Sequence, residues 1–424
     1  MKNYKQQLSH LLPVIIILII NETELPAQNV KIDAEIRSRT SLRDGFQSPL
    51  ADSLHAAVVS ELRTRIGLAY SDKKISTKIT LQDSRIYGET GVNSMNKNSV
   101  ALYEAWGAYQ FTPELSVTLG RQFLEYDDKR LLSKSNWSNT GNSHDLALFK
   151  YEKGNFKLHV GSAWNNASDV LYESAYNVSK TYKNMNFIWT GTKIGILDFS
   201  ALWLNDAFQK DNTDLSKTDK LSFRNTLGGN LQLNNKNIPL FAYATFYYQF
   251  GHDTQDKSLN AAVMALKLKY KFSTIAEILA GIDHFTGSDY DLATSKDHTF
   301  NKLYGVNHSF NGSMEYWATL PKQGLNDLYG GLNLTLSQKL ALSGTFHTFS
   351  LDKRLEQTSK KSLGSEIDLT ADYQVSKQLA LEGGWSCYFK SHTSSIVKSQ
   401  QGVDTKFPVW AYVMLTFKPT FFSK

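Results

Sequence analysis

The stretch Glu61-Leu62-Arg63-Thr64-Arg65-Ile66-Gly67-Leu68-Ala69-Tyr70 decides the fold class. Leu62, Thr64, Ile66, Leu68 and Tyr70 share one parity; Glu61, Arg63, Arg65, Gly67 and Ala69 share the other. Successive side chains of a strand point to opposite faces, so this segment is a strand with one apolar and one charged side. A soluble sandwich would turn the apolar side inward. A wide membrane barrel would turn it to lipid and give the charged side to a wet lumen.

Working outward, the chain divides into eighteen candidate strands, at 32–42, 56–70, 74–86, 99–111, 115–124, 143–152, 155–165, 183–191, 195–208, 220–233, 239–251, 258–271, 274–286, 326–337, 339–351, 362–374, 377–390 and 408–418. Phe156, Leu158, Val160 and Trp164 oppose Lys157, His159, Gly161 and Asn165 in the seventh; Ile367, Leu369, Ala371 and Tyr373 oppose Glu366, Asp368, Thr370 and Asp372 in the sixteenth. The connections alternate, long then short, throughout. Ser71-Asp72-Lys73, Thr112-Pro113-Glu114 and Lys153-Gly154 are short turns with turn-forming residues. An even strand number returns both ends of the chain to the short-turn rim. Most segments exceed the usual strand length and meet the ~9–11 residues a tilted membrane strand needs. A propeller would show repeats of ~40–50 residues, and the sequence has none. The fold class is therefore all-β: an 18-stranded antiparallel up-and-down transmembrane β-barrel.

Composition agrees. Mean hydropathy is −0.35, and past the N-terminus no apolar run reaches the ~18 residues of a helical span. Lys2 and Lys5, the apolar Leu11 to Ile20 and the Leu25-Pro26-Ala27 site form a secretory-signal pattern. Residues 1–27 are predicted as a signal peptide and 28–424 as the barrel. The removed Lys2, Lys5, Glu22 and Glu24 cancel, leaving the formal charge of +6 unchanged. A single cysteine, Cys387, excludes an internal disulfide framework.

Eight of the ten arginines precede position 131: Arg37, Arg39, Arg43, Arg63, Arg65, Arg85, Arg121 and Arg130. The pairs Arg37/Arg39 and Arg63/Arg65 are two apart, so each projects to the lumen side, with Asp33, Glu35 and Glu61 beside them and Glu104 on a neighbouring strand. Two readings stand. The charges pair across strands and rigidify the wall, or they form a basic constriction that sorts anions. Arg121 shares the parity of the lipid-facing Leu115, Val117 and Leu119, which predicts a bulge near Gly120 that resets the register. Asp83 and Arg85, on the parity of Leu81, are expected above the hydrocarbon. Leu202 and Leu204 fall on the face of the ninth strand that should be polar.

The connection 287–325 is far longer than an ordinary loop. It carries Tyr304, Phe310, Tyr316 and Trp317 among glycines, and a disordered segment would not need those aromatics. It is expected to pack into or over the mouth as a plug or gate; an ordered cap that gates nothing is the alternative.

Other classes find little. His144-Asp145 is an adjacent His/Asp pair, but adjacent strand residues face opposite ways. No Gly-x-Ser-x-Gly elbow or His-Glu-x-x-His occurs, so no enzyme is predicted. No cofactor or metal is expected, since no Cys/His set has ligand spacing. Nucleic acid is not an expected partner, because the lysines are dispersed. A receptor or adhesin would have a lumen filled by side chains or a plug.

The stretch Gly120-Arg121-Gln122-Phe123-Leu124-Glu125-Tyr126-Asp127-Asp128-Lys129-Arg130-Leu131 resembles the signature of the bacterial alginate export family. Glu104-Ala105-Trp106, Ser143-His144-Asp145, Leu303-Tyr304-Gly305-Val306-Asn307-His308, Glu35-Ile36-Arg37-Ser38-Arg39 and Leu62-Arg63-Thr64-Arg65 fit as well, most densely up to Tyr151. The resemblance implies an outer-membrane barrel whose electropositive pore passes an anionic polyuronate. It implies that Arg37, Arg39, Arg63, Arg65, Arg121 and Arg130 line or edge that pore. Glu35, Glu61, Glu104, Asp127 and Asp128 complete the candidate lining. The expected partners are outer-membrane lipid, an anionic saccharide or small anionic solute, and periplasmic export proteins. A monomer with periplasmic termini is expected. A general porin for small solutes and a receptor or adhesin are the alternatives.

Overall fold

Period-two alternation carries the chain through long antiparallel strands whose polarity is inverted relative to a soluble protein. The computed structural model describes residues 28–92, 100–178, 181–210, 218–234, 238–293 and 295–424; the expected signal peptide lies outside them. The wall strands are β1 (Asn29–Asp44), β2 (Ala57–Ser71), β3 (Ile75–Ile86), β4 (Ala101–Gln110), β5 (Leu115–Gln122), β6 (His144–Lys153), β7 (Phe156–Trp164), β8 (Asn184–Ile194), β9 (Leu197–Gln209), β10 (Leu221–Asn234), β11 (Leu240–His252), β12 (Ser258–Lys271) and β13 (Ala276–Phe285). After the two-residue β14 (Lys296–Asp297), the wall continues through β15 (Leu325–Thr335), β16 (Leu340–Ser350), β17 (Ser362–Ser376), β18 (Leu379–Lys390) and β19 (Val409–Phe417). All eighteen predicted strands are present, within a few residues at each end.

Each wall strand pairs antiparallel with the next, and β19 returns to β1 with Thr416 opposite Arg37. The barrel therefore closes and has no free edge. Past Pro419, β20 (Thr420–Ser423) pairs with the start of β1, and Val30 N–H donates to the Lys424 carbonyl at 3.0 Å. Both described ends thus sit at the short-turn rim. One helix occurs among the described residues, α1 (His392–Val397). Its start is a reciprocal capping box: Ser394 N–H donates to Ser391 Oγ at 3.0 Å and Ser391 N–H to Ser394 Oγ at 2.9 Å.

The register puts Ile66, Leu68, Ile79, Leu266, Leu369 and Val413 on the exposed outer surface, and buries Arg63, Asp206, Gln249, Asp327 and Glu366 inside. Apolar out and polar in is the arrangement of a barrel set in lipid.

Arg121 corrects an expectation. β5 runs through Gly120 without a register shift against β4 or β6, so Arg121 lies opposite Ala105 and Asp145, on the outward side. It donates to Asp145 at 2.7 Å and to the Leu102 carbonyl at 2.9 Å. The bulge is one strand earlier: Thr80 faces Glu104 and Leu81 faces Leu102, skipping Tyr103. Arg121 ends its strand at the long-loop rim, where an outward charge costs only ~0–1 kcal/mol. Asp83 and Arg85 sit at the same end of β3 and pair with each other at 2.7 Å.

Candidate functional site

Two loops fold into the lumen and bind each other. Residues 123–143, between β5 and β6, meet residues 286–324, between β13 and β15. Leu132 and Tyr304 form a parallel bridge. Ser133 N–H donates to the Tyr304 carbonyl at 3.1 Å, Tyr304 N–H to Leu131 at 3.0 Å and Val306 N–H to Lys129 at 3.0 Å. Gly305 is needed for this approach, since a Cβ there would fall 1.9 Å from the Arg130 carbonyl oxygen. Phe300, Met314, Tyr316 and Trp317 of the longer loop are buried. The long connection therefore packs inside the mouth. Its partner, 123–143, was not expected to cross the lumen.

The β1 and β2 arginines hold that partner loop. Arg63 is fully buried; it donates to Glu35 at 2.9 Å, to the Asn136 carbonyl at 2.9 Å and to the Ser138 carbonyl at 3.0 Å. Arg37 donates to the carbonyls of Asn136, Trp137 (3.1 Å) and Ser138 (2.9 Å). Arg39 binds Glu61 at 2.8 Å and the Trp137 carbonyl at 3.1 Å, with its guanidinium 4.3 Å from the centre of the Trp137 ring. Arg65 donates to Gln82 at 2.7 Å and lies 3.7 Å over Tyr103. Glu104 accepts from Thr80 at 3.0 Å and from Trp106 at 3.2 Å and pairs with Lys78 at 3.0 Å. A guanidinium has five donors in a planar fork, and here half of the hydrogen bonds from these arginines go to backbone carbonyls of the loop.

The opposite wall holds the plug through carboxylates. Arg130 is buried against Asp283 (2.9 Å) and Asp128 (3.1 Å), so it locks loop to wall and does not face open lumen, contrary to expectation. Burial alone would lower its pKa; Asp283 and Asp128 outweigh that and raise it. Asp127 accepts from Trp189 at 3.1 Å and Tyr247 at 3.1 Å, and burial raises its carboxyl. Tyr304 donates to Asp206 at 2.6 Å, and Arg224 supports Asp206 at 2.9 Å. Glu366 accepts the Met314 N–H at 2.7 Å and Asp368 the Ser313 N–H at 3.1 Å. Leu202 and Leu204, anomalous in the sequence, are buried in the apolar cluster beneath these loops. The amine of Lys302 is buried without a hydrogen-bond partner among the described residues. Burial, and then the charge of Arg130, push its pKa down to about 7.

A cavity of about 790 Å³ lies among Arg39, Arg43, Glu61, His308, Glu315 and Trp410, with Arg121 at its border. Another, of about 350 Å³, lies toward the short turns; Arg37, Arg63, Lys377 and Lys418 outnumber Glu35 and Glu382 in its lining. Lys267, Lys269 and Lys271, two apart on β12, share the parity of the buried Val263 and so face the lumen. Asp206, Asp283, Glu366, Asp368 and Trp137 are the site residues that sequence reasoning missed; the one local hint was the inward leucines of β9.

Among solved structures the chain is similar to Acinetobacter baumannii OccAB1, with a TM-score of 0.63 and 13% identity, covering 93% of this chain and 97% of that one. It is similar to Pseudomonas aeruginosa OpdO, at 0.63 and 10%, covering 93% and 98%. Pseudomonas aeruginosa OccK5 (OpdH) gives 0.59 and 10%, again covering 93% and 98%. At such identity these show the fold, that of outer-membrane channels. No curated protein matches the chain in sequence. The family model described as "Alginate export" matches residues 29–391. The chain is a member of the alginate export family, built as an 18-stranded barrel of the outer-membrane channel fold.

Proposed function

We propose that this protein is a monomeric outer-membrane channel, not an enzyme, that passes small anionic solutes, with its short turns and both chain ends in the periplasm. The observation that carries the reading is the charge of the space beneath the plug, where four cations face two carboxylates. The lysine row of β12 adds to it. Cationic linings select anions in pores. Size favours a small solute over a polymer: cavities of 790 and 350 Å³ match the ~300–1,000 Å³ of small-ligand sites. A uronate or short acidic saccharide has the right chemistry. The arginines of β1 and β2 contribute positive charge, while most of their hydrogen bonds hold the loop. Reversal potentials of the refolded chain under a salt gradient test the reading: anion preference supports it, and cation preference overturns it.

A second reading has one specific support. A lumen crossed by two interlocked loops is what a receptor would have, and a folded barrel that passes no current would favour it.

A further inference from the structure

The outer cavity is lined from the β1 and β19 side by Arg39 and Trp410, and from the plug by Tyr304, His308 and Glu315. The inner cavity lies directly below on the same seam, against Arg37, Met414, Thr416 and Lys418. One residue lines both: Trp137. Position along β1 explains this. Arg39 is one lumen-facing step above Arg37, each belongs to a different cavity, and both donate to the Trp137 carbonyl at 3.1 Å.

We infer that the indole of Trp137 is the septum of the channel, and that the solute path runs along the closure seam of β18, β19 and β1. This rests on the channel reading above and names the residue that controls it. The backbone of Trp137 is pinned by two arginines, and Asn136 and Ser138 on either side are held by Arg37 and Arg63. The ring is held differently. It stacks on His308 with centroids 3.7 Å apart and planes 5° from parallel, and meets Trp410 and Tyr412 edge-on at 6.1 and 5.1 Å. Aromatic contacts of this kind contribute only ~0.5–1.5 kcal/mol each. With the Arg39 guanidinium also 4.3 Å from its centre, the ring is held by side-chain contacts alone, so its displacement leaves the backbone bonds of the loop in place. Its exit joins the two spaces and leaves Arg39 and Arg37 as successive cations along the path. An anion moving inward would pass from the Arg39 compartment to the one that holds Arg37, Lys377 and Lys418.

The test is single-channel recording of the refolded full chain in a planar bilayer with chloride and with glucuronate as the permeant anion. Trp137→Ala is expected to raise conductance several-fold for both anions, and Trp164→Ala, a change at an exposed tryptophan, to leave it unchanged. Trp137→Cys in a Cys387→Ser background gives a readout that does not depend on the size of the opening. A cationic thiol reagent should alter the current when added from either chamber. Wild-type conductance in Trp137→Ala, together with increased current in a chain whose loop 123–143 is shortened, would overturn the septum and leave the channel standing. Block of the cysteine variant from one chamber only would also overturn it. No current from the wild type, from Trp137→Ala or from the shortened chain would overturn the channel reading itself.

Discussion

Arg63 donates to both oxygens of Asn136, the backbone carbonyl and the side-chain amide, at 2.9 Å each. A buried strand arginine is thereby committed to a loop that crosses the lumen. The same guanidinium pairs with Glu35, so its charge is neutralised locally and its donors are occupied.

Arg63→Ala is therefore expected to loosen loop 123–143. Removing one partner of a buried ion pair costs about 3–5 kcal/mol, and here Glu35 and the loop carbonyls would be left without their donor. Faster proteolysis within 123–143 and a larger single-channel current are the expected results. Unchanged conductance with lost anion preference would instead make Arg63 a filter residue.

Gly312 sits at φ +84°, and a Cβ there would fall 2.6 Å from both carboxylate oxygens of Glu366. Gly312→Ala combines a left-handed backbone with that clash and should cost about 1–3 kcal/mol at the site. The Met314 amide, which donates to Glu366, should exchange its hydrogen faster. Glu366→Gln keeps an acceptor for Met314 and should retain slow exchange.

Lys302 supplies the pH dependence. Its pKa in the folded plug is about 7, below the ordinary lysine value of 10.5. The released loop therefore binds more protons than the packed one between those values. Packing of the plug weakens as pH falls from about 10.5 to about 7 and changes little below that. Channel openings should become more frequent over that window on acidification. Lys302→Met should flatten the response and keep the plug closed at neutral pH.

The strands were legible because parity is local. Glu61 to Tyr70 announces its two faces with no knowledge of its neighbours, and plain parity also put Arg121 on the outer side correctly. No bulge at Gly120 is needed, because the rim tolerates the charge. β20 was hidden behind Pro419, which cannot donate to a ladder. The plug was half legible. The aromatics at 304–317 marked the longer loop as ordered, but the inward fold of 123–143 depends on Arg37, Arg39 and Arg63 reaching carbonyls from another part of the chain. Such pairing leaves no periodic trace. Leu202 and Leu204 were its only local sign, apolar residues on a wall otherwise expected to be wet.

The most direct test of an anion-conducting lumen behind a two-loop plug is the reversal potential of the refolded chain in a planar bilayer under a potassium chloride gradient, with loops intact and with 123–143 shortened. The expected result is a small anion-selective current that grows, and stays anion-selective, when the loop is shortened. Cation selectivity in both chains, or no current in either, would contradict it.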